Sequence, residues 1–390
     1  MAKGFIGNLL LKILQKLGRD LIALSTRIKK DRILFIQESS SGSNSYALWK
    51  AASEAMRKKY DLVLYQMPPN EDFSIFVKKH RLMSSARIIV TTHSSFKPSK
   101  NHIHIQLWHG VPLKKIGSME IGLTTKFRPS KLWQEVDYIM SYSETYTTFL
   151  NACMLSDPKK YVITGAPRND WLFASEGRAG MRKMLGQPGQ DVKYIFYIPT
   201  FREGYLGLKQ GDKTYKNPFG FGCFDPERFD RFLSDNKCVM VFKPHPHEEK
   251  LMQNYFSQYP LKNMVLLTDL DLKNKGLDFY EVLNACDILI TDYSSVFYDF
   301  MLLDRPMIFT PVDLEAYKST RGIMIESFEG WVPGPMALGQ EALEVEIGKC
   351  LYQPDYYKEK RNDMCANHHR YQDGNASARL WKFMDDLLSR

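Results

Sequence analysis

The sequence predicts an α/β protein built from two doubly wound parallel sheets that face each other across a cleft. Three observations lead there. Short apolar runs alternate with polar, helix-like segments along most of the chain, the pattern of parallel strands covered by helices. A length of 390 residues exceeds what one ordinary core organises and points to two domains. Two histidines, His109 and His245, each stand just after an apolar run, in Ile103–Gly110 and Val239–His247. Ligands of open α/β sheets bind outside the carboxyl ends of the strands, so one such histidine in each half suggests an enzyme.

The expected strands of the first half are Arg32–Gln37, Leu62–Gln66, Arg87–Thr92, His102–Leu107, Tyr138–Ser141 and Tyr161–Thr164. Those of the second are Tyr194–Pro199, Cys238–Phe242, Met264–Leu267, Ile288–Thr291 and Met307–Thr310. Each is a short apolar run bounded by Gly, Pro, Asn, Asp or Ser. This divides the chain into a leading segment, 1–32, a first Rossmann-like domain, 33–185, and a second, 186–390, that ends in helices. The Gly- and charge-rich stretch Ala174–Asp191 reads as the join, and Gly204–Pro218 as a mobile loop over the cleft. The last helix of such two-domain enzymes often crosses back to the first domain, and the same is expected here.

The leading segment stands apart. Phe5, Leu9, Ile13, Leu17, Leu21 and Leu24 recur at helical spacing, interspersed with Lys3, Lys12, Lys16, Arg19, Arg27, Lys29, Lys30 and Arg32 against only Asp20 and Asp31. Charge interrupts the apolar run too often for a bilayer span, and no small-residue cleavage site follows. A basic amphipathic helix lying on an anionic leaflet fits best; the alternative packs its apolar face on its own domain.

The hydrophobic share is 44% and the aromatic share 13%, as in a folded globular protein. A net charge of +9 favours anionic partners. Most of that excess lies in the first 32 residues and not in a patch interleaved with aromatics, so nucleic acid is not an expected partner. Six cysteines without a Cys-x-x-Cys pair read as reduced, buried thiols. Cys365, His368 and His369 lack a second cysteine pair, so no protein-bound metal is expected.

Standard phosphate loops are missing. The candidate anion site is Thr291-Asp292-Tyr293-Ser294-Ser295, where a strand ends and serines open a helix; serine hydroxyls and free backbone N–H groups beside the other strand ends suit phosphate, with a plain N-cap at Ser294 as the alternative. Lys243-Pro244-His245-Pro246-His247 sets a cation and an imidazole in a proline-fixed turn. Arg202, at a third strand end, suits a bidentate phosphate grip, with a surface ion pair to Glu203 as the alternative. Arg321 adds a further candidate cation. In the first half, Trp108-His109-Gly110-Val111-Pro112-Leu113-Lys114 places an imidazole able to deprotonate an acceptor hydroxyl, with Gly110 permitting close approach. Gly165-Ala166-Pro167-Arg168-Asn169-Asp170 reads as a cleft-lining turn.

Taken in order over roughly 100–335, these motifs resemble the CDP-glycerol glycerophosphotransferase family of teichoic-acid synthesis: Trp-His-Gly-x-Pro-Leu-Lys at 108–114, Gly-x-Pro-Arg-Asn-Asp at 165–170, Pro-Thr-Phe-Arg at 199–202, His-Pro at 245–246 and Thr-Asp-Tyr-Ser-Ser-Val at 291–296. The resemblance implies a GT-B-like fold with the nucleotide held mainly by the second domain. It implies His109 as catalytic base and His245, Arg202, Ser294 and Ser295 at the donor pyrophosphate, with Asp292 shaping that loop. The donor would be CDP-glycerol, and the acceptor an undecaprenyl-diphosphate-linked saccharide or polymer at the cytoplasmic face of the cell membrane, where the enzyme would be peripheral. No cofactor is implied; Mg²⁺ carried by the substrate is compatible. The segment Glu38–Ser45 departs from the family, and His247 leaves open which imidazole of that turn acts. Two other donors fit the same fold: CDP-ribitol, and a nucleotide sugar.

Overall fold

The computed structural model describes residues 2–39, 41–68, 70–93, 97–122, 131–173, 176–186, 191–202, 209–259, 261–353 and 355–389; side chains of 2–13, 131 and 132 are outside the description. All eleven expected strands form, with ends shifted by a few residues at most. The first sheet contains β1 (Lys29–Gln37), β2 (Asp61–Gln66), β3 (Ala86–Thr91), β4 (Ile103–Gln106), β5 (Tyr138–Ser141) and β6 (Tyr161–Ile163). The second contains β7 (Lys193–Ile198), β8 (Cys238–Phe242), β9 (Met264–Leu266), β10 (Ile288–Thr291) and β11 (Met307–Phe309).

Strand order is β2-β1-β3-β4-β5-β6 in one sheet and β11-β10-β7-β8-β9 in the other, and every pairing is parallel. Each order reverses once, between β1 and β3 in the first sheet and between β7 and β10 in the second. A crevice opens at such a reversal, because the connections leave the two neighbouring strands on opposite faces. Alternation along the strands explains the core. Ile33 and Phe35 of β1 enter a buried cluster that also takes Tyr194 and Phe196 of β7, whereas Leu34 and Ile36 face a smaller cluster behind the first sheet, and Ile195 and Tyr197 one behind the second. One apolar cluster thus includes side chains of both sheets.

The halves are also joined by buried polar contacts. Asp299 accepts hydrogen bonds from Arg168 (2.6 Å), Asn169 (3.0 Å) and Tyr280 (2.7 Å), so a carboxylate of the second half is satisfied largely by the first. Helix Ala376–Leu388 crosses back to the first half, where Trp381 donates to the Leu48 carbonyl (3.0 Å) and Asp385 meets Lys59 and Tyr60.

Two of the expected connections carry more structure than their composition signals. The stretch read as a join contains helix Gly177–Leu185, whose Gly180 packs against Val282 of helix Phe279–Leu283; positions 174–175 and 187–190 lie outside the described residues. The stretch read as a mobile loop lies outside them at 203–208. From 209 onward it is anchored: Gln210 donates to the Arg202 carbonyl (2.7 Å), and the N–H groups of Asp212 and Lys213 both donate to Asp313.

The leading segment forms helix Ala2–Ser25. Gly18 lies against the Phe76 ring of helix Phe73–Ser85, while Leu14, Leu17, Leu21 and Leu24 are 63%, 54%, 66% and 86% exposed. Phe73 is exposed nearby. Among the described residues no helix is long and apolar enough to cross a membrane.

Candidate active site

Both reversals carry charged and polar groups onto the strand ends. After β1, the Glu38 carboxylate accepts the N–H groups of Thr92 (2.9 Å) and His93 (2.6 Å), which follow β3. After β10, Asp292 accepts the N–H groups of Thr200 (2.7 Å) and Tyr293 (2.6 Å), tying the ends of β7 and β10 together.

Two adjoining cavities lie between these ends. The first, about 340 Å³, takes in Ser41 and Gly42 from the first half and Pro199, Lys243 and Ser294 from the second. The second, about 370 Å³, is lined mainly by His93 and the segment 108–116. His109, Lys114, Phe201, His245 and Ser295 belong to both walls. Gly110 makes this meeting of halves tight: its φ is +147°, and a Cβ there would sit 2.8 Å from Ser295 Oγ. The 108–116 segment is further stitched to the second half. Leu113 accepts from Met324 N (2.8 Å), Lys115 N donates to Gly322 (3.1 Å), and Arg321 donates to the Lys115 carbonyl.

The two imidazoles are held in opposite tautomers. His109 Nδ1 faces the Thr92 carbonyl at 3.4 Å, an acceptor only, so Nδ1 carries the proton and Nε2 keeps its lone pair. His245 Nδ1 accepts the His247 N–H at 3.4 Å, so its proton sits on Nε2. The His109 ring also stacks on His93, 4.1 Å between centroids and 7° between planes, and the His245 ring on Phe201 at 4.0 Å. Burial, then the neighbouring His93, holds the His109 pKa well below the usual imidazole value, against the pull of the Thr92 carbonyl. Burial, then His247, Lys114 and Lys243, lowers His245 to about 4. Both rings are therefore neutral near pH 7 before a ligand arrives. His247 is exposed and lines neither cavity.

The cations expected at a phosphate are placed differently. Arg202 lines neither cavity. Its guanidinium is 1% exposed and meets Asp313 (2.8 Å) and Asp292 (3.0 Å). Burial alone would lower its pKa, yet the two carboxylates raise it, and Asp313 is correspondingly lowered despite burial. The surface pair with Glu203 falls outside the described residues. Asp292 is buried and committed to Thr200, Tyr293 and Arg202, so it shapes the loop. Lys243 lines the first cavity but is paired with Asp269 (2.8 Å) and Glu249 (3.4 Å). Arg321 lines neither cavity. Ser294 and Ser295 do line the first, and Ser295 is the N-cap of helix Val296–Phe300 without using its hydroxyl to cap it. Neither hydroxyl makes a hydrogen bond among the described residues.

This ordered site lies within the region 20–385, which matches the family model described as CDP-glycerol:poly(glycerophosphate) glycerophosphotransferase. The chain belongs to that family. It is 29% identical over 379 residues, 90% of this chain and 62% of the relative, to the teichoic acid ribitol-phosphate polymerase TarL of Staphylococcus aureus. It is 26% identical over 368 residues, 91% of this chain and 88% of the relative, to a teichoic acid glycerol-phosphate primase of Bacillus subtilis. The chain spans 62% and 53% of the length of two staphylococcal ribitol-phosphate polymerases it matches, TarL and TarK. Among solved structures, the wall teichoic acid polymerase TagF superposes with a TM-score of 0.74 at 20% identity, covering 98% of this chain and 96% of that one; that protein is a histidine variant soaked with CDPG. The likeness supports the fold.

Among further cavity residues of this glycerophosphotransferase-family chain, Arg168 belongs to the turn expected to line the cleft, whereas Ser41 and Gly42 carry no sequence signal of their own. Arg168 lines the first cavity, bonded to Asp299 and stacked on Tyr280 with its guanidinium carbon 4.4 Å from the ring centre. Ser41 and Gly42 reach that cavity because Asp278 accepts the Gly42 N–H (2.9 Å) and Ser41 accepts the Phe279 N–H (2.8 Å). Their segment reads only as a departure from the family. Cys365, His368 and His369 are buried, the histidines bonded to the Met364 and Tyr298 carbonyls, and no metal-like cluster occurs among the described residues.

Proposed function

We propose that this chain transfers glycerol phosphate from CDP-glycerol to a hydroxyl of a lipid-linked teichoic-acid or capsule-type acceptor, releasing CMP. Family membership supplies the reaction class. The observation that carries the rest is the pair of oppositely oriented imidazoles on the wall shared by two cavities. In this reading the first cavity holds the donor and the second the acceptor, within a GT-B-like arrangement of two Rossmann-like domains.

His109 Nε2 accepts the proton of the acceptor hydroxyl. The oxygen attacks the β-phosphorus of CDP-glycerol, the new P–O bond forms as the bond to CMP breaks, and CMP leaves with the electron pair. His245 Nε2–H, with the Ser294 and Ser295 hydroxyls, donates to the phosphate oxygens as charge develops. The donor's negative charge raises the His109 pKa from its depressed value, which makes the ring a better base only when substrate is present. Arg202 and Asp313 act at one remove, holding Asp292 and the strand ends in register. The enzyme works at the cytoplasmic face of the membrane as a peripheral protein, recruited by the leading helix.

CMP release measured with CDP-glycerol and a lipid-linked disaccharide, wild type against His109→Ala, tests this. Release by wild type alone is the expected result. Full turnover by His109→Ala would remove the base. CDP-ribitol is the second donor to assay, because TarL and TarK are ribitol-phosphate polymerases; faster turnover with it would replace the glycerol reading.

A further inference from the structure

We infer that Lys114 is the substrate-binding cation of the reaction: its ammonium holds the non-bridging oxygens of the phosphoryl group being transferred, where the two cavities meet. The inference rests on the proposed donor chemistry and adds the residue that meets the moving phosphate.

Three cations line the cavities among the described residues: Lys114, Arg168 and Lys243. Arg168 is committed to Asp299 at 2.6 Å and to the Gly42 carbonyl at 3.1 Å. Lys243 is committed to Asp269, Glu249 and the Pro244 carbonyl. Lys114 alone makes no hydrogen bond or ion pair there, and it is the only one of the three on both walls. Its backbone is fixed, since Lys114 bridges Ile323 of the second half and its neighbours Leu113 and Lys115 are bonded to Met324 and Gly322. The backbone that carries the ammonium is therefore placed by both halves of the molecule, and among the described residues no carboxylate pairs with it directly; Asp292 acts on it only through space.

Lys114 is half-buried, and drawing an ammonium partly out of water without pairing it carries a cost that an anionic ligand would offset. Burial brings its pKa down to about 8, with Arg202 and Arg321 contributing and Asp292 opposing. Those three groups, with His109 and His245, are the charged or titratable groups that act on Lys114 or feel it. A donor diphosphate removes the deficit. As the acceptor oxygen bonds to the β-phosphorus and CMP departs, Lys114 keeps its three protons and stays on the same phosphoryl oxygens, while the acceptor proton goes to His109. A cation confined to one cavity could not follow the group across.

The test uses the full chain, with wild type, Lys114→Met and Lys114→Arg compared for turnover of CDP-glycerol from pH 6.5 to 9.5, for binding of CDP-glycerol and CMP by calorimetry, and for thermal midpoint. Lys114→Met is expected to cut kcat by about 10²–10³-fold, the usual effect of losing one charge-stabilising donor. It should weaken CDP-glycerol binding by about tenfold or more while CMP, which lacks the transferred phosphate, binds as before. The thermal midpoint should hold or rise, because a half-buried cation with no ion pair among the described residues has been removed. Wild-type kcat/KM should fall above about pH 8 as the free enzyme loses the Lys114 proton. Lys114→Arg, which stays charged, should move that fall to higher pH. Turnover by Lys114→Met within threefold of an active wild type, or a lowered thermal midpoint with CDP-glycerol and CMP weakened equally, would overturn the assignment while leaving the donor reading intact. A wild type silent with CDP-glycerol would sink both.

Discussion

His109 and His245 differ in what their Nδ1 atoms meet, a carbonyl in one case and an N–H in the other, and that difference assigns them opposite duties. Replacing His109 with Ala should therefore lower kcat by about 10²–10⁴-fold. Slowed turnover with unchanged CDP-glycerol binding is the expected pattern. Arg202 behaves otherwise. It faces Asp292 and Asp313 with all three side chains about 1% exposed, so Arg202→Met would strand two buried carboxylates. The expected cost is about 3–5 kcal/mol of stability, read as a lowered urea midpoint. A sequence reader sees only an arginine at a strand end, a position that suits a ligand and a structural ion pair equally well. Which it becomes depends on whether carboxylates arrive from 90 and 111 residues away.

Elements set how the two halves meet. The 108–116 segment and the Ser294–Ser295 turn approach so closely that only Gly fits at 110. Gly110→Ala should push the His109 loop off Ser295 and lower turnover by up to about 10²-fold while the protein still folds, checked by circular dichroism beside the rate. The clasp of Gly42 on Asp278 has a pH signature. Burial, only partly offset by the Tyr280 and Gly42 N–H groups, raises the Asp278 pKa from 3.8 to about 6. Between those values the folded protein holds a proton that the unfolded chain has lost, so this group's contribution to stability declines as pH rises through that window. Asp278→Asn should gain on wild type between pH 4 and 7; urea midpoints that run parallel across that range would contradict the assignment. The strands were readable because parallel strands buried on both faces are continuous apolar runs, as β8 is throughout. The helix Gly177–Leu185 was not, because its glycines, read as linker residues, are packing positions, Gly180 against Val282 of helix Phe279–Leu283 and Gly177 against Asn284 just beyond it.

At the scale of the whole molecule, the exposed leucines of the leading helix form one apolar face, and that face is the proposed membrane contact. Changing Leu14, Leu17, Leu21 and Leu24 together to Ser leaves the Gly18–Phe76 contact in place. Binding to anionic vesicles should fall, measured by co-sedimentation, while CMP release with a soluble acceptor stays near wild type. Loss of soluble turnover instead would make this helix part of the fold.

The sequence by itself determined the α/β class, the eleven strands, the family, and the positions of His109, His245, Ser294 and Ser295 at strand ends, because periodicity and local motif are written in consecutive residues. Only the tertiary structure decided which charges are spent and which are left over. Arg202 and Lys243 look like ligand cations in the chain, yet each is paired with a carboxylate in the fold, as is Arg168 of the cleft-lining turn, while Lys114, one letter of a motif, has no ion pair among the described residues. Ion pairing depends on distance in space, and the partners of Arg168 and Arg202 come from far along the chain; no local reading could supply them.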